Sequence, residues 1–142
     1  MISNLAELRR AELMALAASH DGTLSPAAVV AHASNSTSAL HALFTWDDTI
    51  AAARWREEQA SQYLRAVVTL LPGHDGTLVR VRAFVSLSVE RGPGHVYRPI
   101  ESVMSNDERR AVLLADAKRE LAALKVKYAE LTELSSVWTV LD

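Results

Sequence analysis

Apolar positions recur at helical spacing along the first 64 residues. Leu5, Leu8, Leu13 and Leu16 give a face to a first helix from about Ser3 to Ser19, with Ser3 as N-cap and His20-Asp21-Gly22 as its end. Ser25-Pro26 couples a capping hydroxyl to a proline at the first helical position, so a second helix starts there. It runs through Ala27–Ala33 and fades in the polar stretch 34–38, and a short third helix is expected over about Ser38 to Phe44. Thr45-Trp46-Asp47-Asp48 then reads as another helix start. Thr45 and Asp48 have capping-box spacing, Asp47 is a competing N-cap, and both carboxylates sit where the helix dipole favours negative charge. The fourth helix continues to about Tyr63, with Ala52, Trp55, Gln59 and Tyr63 on one face and Arg56 alongside.

The period then changes from about four to two. Arg65–Leu71 is apolar and β-branched, and Pro72-Gly73-His74-Asp75-Gly76 is a turn. Val79, Val81, Ala83, Val85, Leu87 and Val89 alternate with Arg80, Arg82, Phe84, Ser86, Ser88 and Glu90, which predicts a long strand with one buried and one wet face. Gly92-Pro93-Gly94 turns the chain, and His95–Ile100 supplies a third strand whose Pro99 places it at an edge or marks its end. Helical spacing returns after Ser105-Asn106-Asp107-Glu108, a capping box. Leu114, Ala117, Leu121, Leu124, Tyr128, Leu131, Ser135 and Trp138 form a heptad seam broken at Ser135. At about 1.5 Å per residue this last helix would be roughly 45 Å long, so it runs past a small body or pairs with a second copy.

The expectation is a mainly helical α+β fold in a single domain, 1–142. Helices occupy 3–64 and can include a helix-turn-helix, a three-stranded antiparallel meander covers 65–100, and a long C-terminal helix spans 105–138. Hydrophobic content of 49% against 23% charged residues is that of a globular chain able to bury one core, so wholesale disorder is not expected. The chain has no cysteine, which removes disulfides, thiolate zinc sites and cysteine nucleophiles together and suits a reducing compartment. Neither a signal peptide nor a membrane span is expected.

Charge is unevenly placed. The net charge of −2 argues against a strongly electrostatic nucleic-acid binder, yet residues 77–100 carry Arg80, Arg82, Arg91 and Arg98 against Glu90 alone. An anionic partner would look first to that middle stretch.

Candidate chemistry is sparse. Asp47 and Asp48 are accounted for as helix caps, and Glu58, four residues after Arg54, as half of a surface pair. The histidines at 20, 32, 41, 74 and 95 lack the spacing that puts two imidazoles on one metal, and His41, next to aromatics, reads as a packed side chain. No phosphate-binding glycine loop and no nucleophile elbow is present, so neither cofactor nor metal is expected and the chain does not read as an enzyme. A helix-turn-helix from helices two and three, with the strands as a wing, lacks any Lys or Arg between Arg10 and Arg54. The wet strand face with Arg80, Arg82 and Phe84 is the better nucleic-acid surface, and equally a protein-binding one. Arg56 and Gln59, a turn apart beside Trp55 and Tyr63, either recognise an anionic or backbone group or tie their helix to the Trp46-Asp47-Asp48 caps.

The run Leu40-His41-x-x-Phe44-x-Trp46-Asp47-Asp48-x-x-Ala51-Ala52-x-x-x-Arg56-x-x-Gln59-Ala60 resembles a signature of small proteins of tailed bacteriophages and prophages. The likeness extends through Val81–Leu87, Tyr97-Arg98 and Lys127-Tyr128, and so over most of the chain from Leu24 onward. Ala39 stands where proline is expected, Thr45 where an acid is usual and Ser61 where an arginine often follows; these touch caps and surface charge more than the frame. The resemblance implies a phage or prophage origin and the cytoplasm of a bacterial host, or a virion, and it carries no activity with it.

The reading that joins these points is a non-enzymatic phage accessory protein that binds macromolecules as a homo-oligomer, with a phage or host protein as partner. A winged-helix-like DNA-binding regulator is the alternative. A third reading is an inhibitor of a host defence system.

Overall fold

A computed structural model of the chain describes residues 4–46, 49–92 and 94–141. The proposed caps Ser3, Asp47 and Asp48 lie outside the described residues. The α-helices are α1 (Asn4–Ser19), α2 (Pro26–Ala33), α3 (Ile50–Ala66), α4 (Ile100–Met104), α5 (Asp107–Lys127) and α6 (Ser135–Leu141). The strands are β1 (Val68–Pro72), β2 (Leu78–Arg82), β3 (Phe84–Val85) and β4 (Arg98–Pro99). The fold is α+β and mainly helical, and among the described residues no helix is long and apolar enough to cross a membrane.

The N-terminal helices follow their local chemistry. α1 stops where Asp21 and Gly22 both take positive φ, and the Gly22 N–H reaches back to the Ala17 carbonyl at 2.7 Å. Ser25 caps α2 by accepting from the Ala28 N–H at 3.0 Å, with Pro26 at the first position. The expected third helix is only a 3-10 turn, His41–Leu43, so helices two and three form no helix-turn-helix.

The start of α3 differs from the expectation. The cap is Thr49, whose hydroxyl accepts from the Ala52 N–H at 3.1 Å, and Thr45 and Trp46 precede the helix. The physical reason is competition for the Thr45 carbonyl, which accepts from Arg56 Nη1 at 2.9 Å instead of serving a first helical turn. The buried face of α3 runs through Ala60, Ser61 and Leu64, with Arg56, Gln59 and Tyr63 partly covered, while Trp55 is 53% exposed and lies off it.

The three-stranded meander is replaced by two separate antiparallel ladders, β1 with β2 and β3 with β4. Ala83 hands the chain from one to the other. Its N–H donates to the Val67 carbonyl at 2.8 Å, and its carbonyl accepts from the Ile100 N–H at 2.8 Å. Strict alternation fails there, because Ala83, Phe84 and Val85 are all buried in succession. β4 stays two residues long: the Tyr97 backbone is already paired with Leu24, and Pro99 has no N–H to extend the ladder. Beyond Val85 the expected strand turns into a 3-10 helix at Ser88–Glu90, which leaves Val89 74% exposed.

The single C-terminal helix is also divided. α4 comes first, then Asn106, whose side chain caps α5 by accepting from the Arg109 N–H at 2.9 Å, in place of the Ser105–Glu108 box. α5 ends at Tyr128, and a 3-10 turn at Thr132–Leu134 leads into α6. The break falls at Tyr128–Leu131, where a seam with no partner in the body has no packing to carry the helix on.

Two hydrophobic clusters result. One joins α1, α2 and α3 to Phe84 and Tyr97 around Leu13, Leu24, Leu40 and Leu64. The other gathers Val85, Leu87, Ile100 and Val103 beneath Val112 and Leu113 of α5.

Candidate functional site

The residues of the signature segment assemble into a structural knot. Glu12 of α1 holds the loop before it, accepting from the Ala39 N–H at 2.8 Å, from the Ser38 hydroxyl and from His32 Nε2 at 3.1 Å, while Arg9 Nε donates to the Ala39 carbonyl at 2.8 Å. Burial works against the Glu12 charge, but these hydrogen bonds outweigh it and hold the carboxyl below its ordinary range. The ring of His41 bonds the Ala33 carbonyl through Nδ1 at 2.7 Å and stacks on Trp46 with centroids 4.9 Å apart and planes within 8°. Trp46 Nε1 donates to the His41 carbonyl at 2.9 Å, and the Arg56 guanidinium lies 5.0 Å from the Trp46 ring. Arg56 thus contacts the Thr45 carbonyl and the Trp46 face. Gln59 stands a turn further along α3, and its Oε1 is buried without a hydrogen-bond partner among the described residues.

The wet-face trio does not hold together. Phe84 is 0% exposed, because the handover at Ala83 turns it into the core against β4. Its place as a surface binding residue is thereby overturned. Arg80 and Arg82 are both exposed on β2, and of the two only Arg82 reaches the wall of a cavity.

That cavity, of about 470 Å³, lies where the end of β2, the segment after β3 and the flank of α5 meet. Arg82 enters it from β2, Arg65 from the last turn of α3, and Arg91 from just after the 3-10 helix. Arg65 is steadied by the Ser61 hydroxyl at 3.0 Å, which is itself 2.7 Å from the phenol oxygen of buried Tyr97. Arg91 is steadied by Nη2 donating to the Ser86 carbonyl at 2.8 Å. His95 tilts on Tyr97 with ring centroids 5.0 Å apart. The hydroxyl of Ser86 and Nε2 of His95 are both buried in this wall without a partner among the described residues.

α5 closes the opposite side with Leu113, Asp116, Ala117 and Glu120. Asp116 accepts from the Ser88 N–H at 2.9 Å and from Arg119. Burial raises its pKa, but the hydrogen bonds from Ser88 and the charges of Arg119 and Arg91 lower it further than burial lifts it, so the carboxylate stays ionised and paired. Arg65, Arg91, Ser86 and His95 were not singled out from the sequence. The signals that pointed here were Arg82 on the alternating strand and the excess of arginine between 77 and 100.

A second surface of note lies on the C-terminal helices. From Ala117 to Leu141 no described residue is buried, although Leu121, Leu124, Val126, Leu131, Val137, Val140 and Leu141 lie there. α5 and α6 flank an open groove of about 570 Å³ lined by Leu114, Leu121, Val126, Trp138 and Leu141, with Lys118 and Lys125 at its border. The indole N–H of Trp138 is buried without an acceptor among the described residues. No group of three or more His, Asp or Glu able to hold a metal ion occurs among the described residues.

Compared with protein-family models, curated proteins and solved structures, the chain matches none.

Proposed function

We propose that the protein acts by binding macromolecules rather than by catalysis, as a homo-oligomer joined through the apolar face of α5 and α6. The observation that carries this reading is the row of leucines and valines beyond Asp116, which the body of the same chain leaves open. Contiguous apolar surface of this kind marks contact sites rather than solvent faces. A second copy suits it because the pattern is a helical seam, which packs well against its own like. The unpaired Trp138 N–H in the groove also calls for a group from outside the chain.

The setting we infer is a bacteriophage or prophage and its bacterial host, on the strength of the Leu40–Ala60 resemblance, with a phage or host protein as the further partner. Inhibition of a host defence protein is one form that such binding takes. The DNA-regulator reading has Arg80 and Arg82, exposed on one face of β2, in its favour. It lacks a recognition helix, since His41–Leu43 is one 3-10 turn.

Size-exclusion chromatography with light scattering tests the reading. The expected result is a mass of two chains or more, reduced to one chain by Leu121→Glu with Leu124→Glu at unchanged circular dichroism. A strict monomer at about 100 µM, where even weak specific dimers form, removes it.

A further inference from the structure

We propose that the cavity between β2, the 86–97 segment and α5 binds a small phosphorylated ligand with a planar ring, of the size and chemistry of a nucleoside monophosphate. Three arginines far apart in the sequence, Arg65, Arg82 and Arg91, converge on it from three different elements. Such convergence costs mutual repulsion, which an anion relieves. Two of the three guanidiniums are oriented by the protein. Arg91 is fixed by the Ser86 carbonyl, which leaves its other N–H groups for a ligand, and Arg65 is held by Ser61 and by Glu58, 3.6 Å from its Nη2. Arg82 makes no hydrogen bond or ion pair with a described residue. Planar guanidiniums suit the several oxygens of a phosphate.

The orphaned groups point the same way. A buried hydroxyl or ring nitrogen left unpaired costs about 1–3 kcal/mol, and two such groups, Ser86 Oγ and His95 Nε2, sit in the wall of this one cavity. A phosphate oxygen accepts from the Ser86 hydroxyl, and the polar edge of a base or sugar meets His95. Apart from Asp116 and Glu120, the remainder of the lining is apolar or aromatic, with Val85, Leu113 and Tyr97 offering a surface to a flat ring. About 470 Å³ falls within the range of small-ligand sites.

The acidic side of the cavity is compatible with this. Asp116 is already satisfied by Ser88 and Arg119, so its charge is met before any ligand arrives. Glu120 supplies an acceptor for ribose hydroxyls or an exocyclic amine. A phosphodiester chain fits less well, because it needs a basic track leading away from the cavity. Glu58 sits 3.6 Å from Arg65, and Arg80 is not in the cavity wall.

Isothermal titration of the full chain with AMP and UMP tests the proposal, with inorganic phosphate, adenosine and an unphosphorylated 20-nucleotide DNA strand as comparisons. At least one nucleotide is expected to bind with a Kd near or below about 100 µM, and phosphate and nucleoside alone at least about tenfold more weakly. Arg82→Ala and Arg91→Ala should each weaken the nucleotide about tenfold with the melting transition unchanged, and Arg80→Ala should change it by less than about twofold. No heat with either nucleotide at about 1 mM overturns the proposal. So does an equal loss in Arg80→Ala, which would reduce the effect to general charge. Tighter binding of the DNA strand than of both nucleotides overturns it in favour of a nucleic-acid surface.

Discussion

Arg98 meets Glu90 in a two-pronged ion pair, Nε to Oε1 at 2.7 Å and Nη2 to Oε2 at 2.6 Å, with both side chains largely covered. The pair clips the 3-10 helix at Ser88–Glu90 to β4 and so closes the loop that carries Arg91 and His95 into the cavity. Its hydrogen bonds to Glu90 raise the Arg98 pKa further, which keeps the charge fixed throughout the accessible pH range. Glu90→Gln is expected to destabilise the protein by about 2–3 kcal/mol, because it strands a covered guanidinium. Pairing it with Arg98→Met should recover part of that loss, and urea unfolding of the two variants reads the difference.

Glu12 makes stability depend on acid. Its folded pKa lies below the ordinary 4.5, so its contribution is fully present above that value and is lost as pH falls through the lower folded value. Glu12→Gln should therefore cost about 1–2 kcal/mol at neutral pH, with a gap from wild type that narrows below about pH 4.5. Thermal melts across pH 3 to 7, taken in roughly half-unit steps, reveal the narrowing. A gap that is constant with pH would contradict the assignment.

Phe84 and Arg80 were read from the sequence as members of one alternating strand, and they should behave very differently. Phe84→Ala removes a fully covered ring from the main core and is expected to cost about 3–5 kcal/mol. Arg80→Ala is expected to stay within about 0.5 kcal/mol. Denaturant midpoints at constant slope report both.

The knot around Trp46 predicts coupling. Arg56→Ala should cost about 1 kcal/mol, since it loses both the Thr45 carbonyl and the Trp46 face. With Trp46→Ala in place, the same change should cost measurably less. A double-mutant cycle by chemical unfolding measures that difference, and strict additivity would mean that the guanidinium–indole contact contributes nothing.

Local chemistry made much of the fold legible. Ser25-Pro26 specifies its own cap within four residues, and Asp21-Gly22 specifies the end of α1, so both were readable without a tertiary partner. Phe84 was not, because alternation reports the period of a strand but not a change of partner at Ala83. Thr45 looked like a cap until Arg56, eleven residues on, claimed its carbonyl. The heptad spacing from Leu114 was visible, yet spacing alone cannot tell whether the seam faces its own body. The cavity was the least legible feature. Its walls come from Arg65, Arg82, Arg91, His95 and Leu113, and only Arg82 on the alternating strand and the arginine excess of 77–100 betrayed any of it.

The backbone of Ala83 has a consequence for how the molecule comes apart. Its N–H completes one ladder and its carbonyl the other, while the next two residues, Phe84 and Val85 of β3, go one to each hydrophobic cluster. Opening either ladder therefore strips the other of its end bond, and the two clusters should melt as one cooperative foldon. Amide exchange at Ala83 and Ile100 should then share a single opening free energy, equal to that of global unfolding.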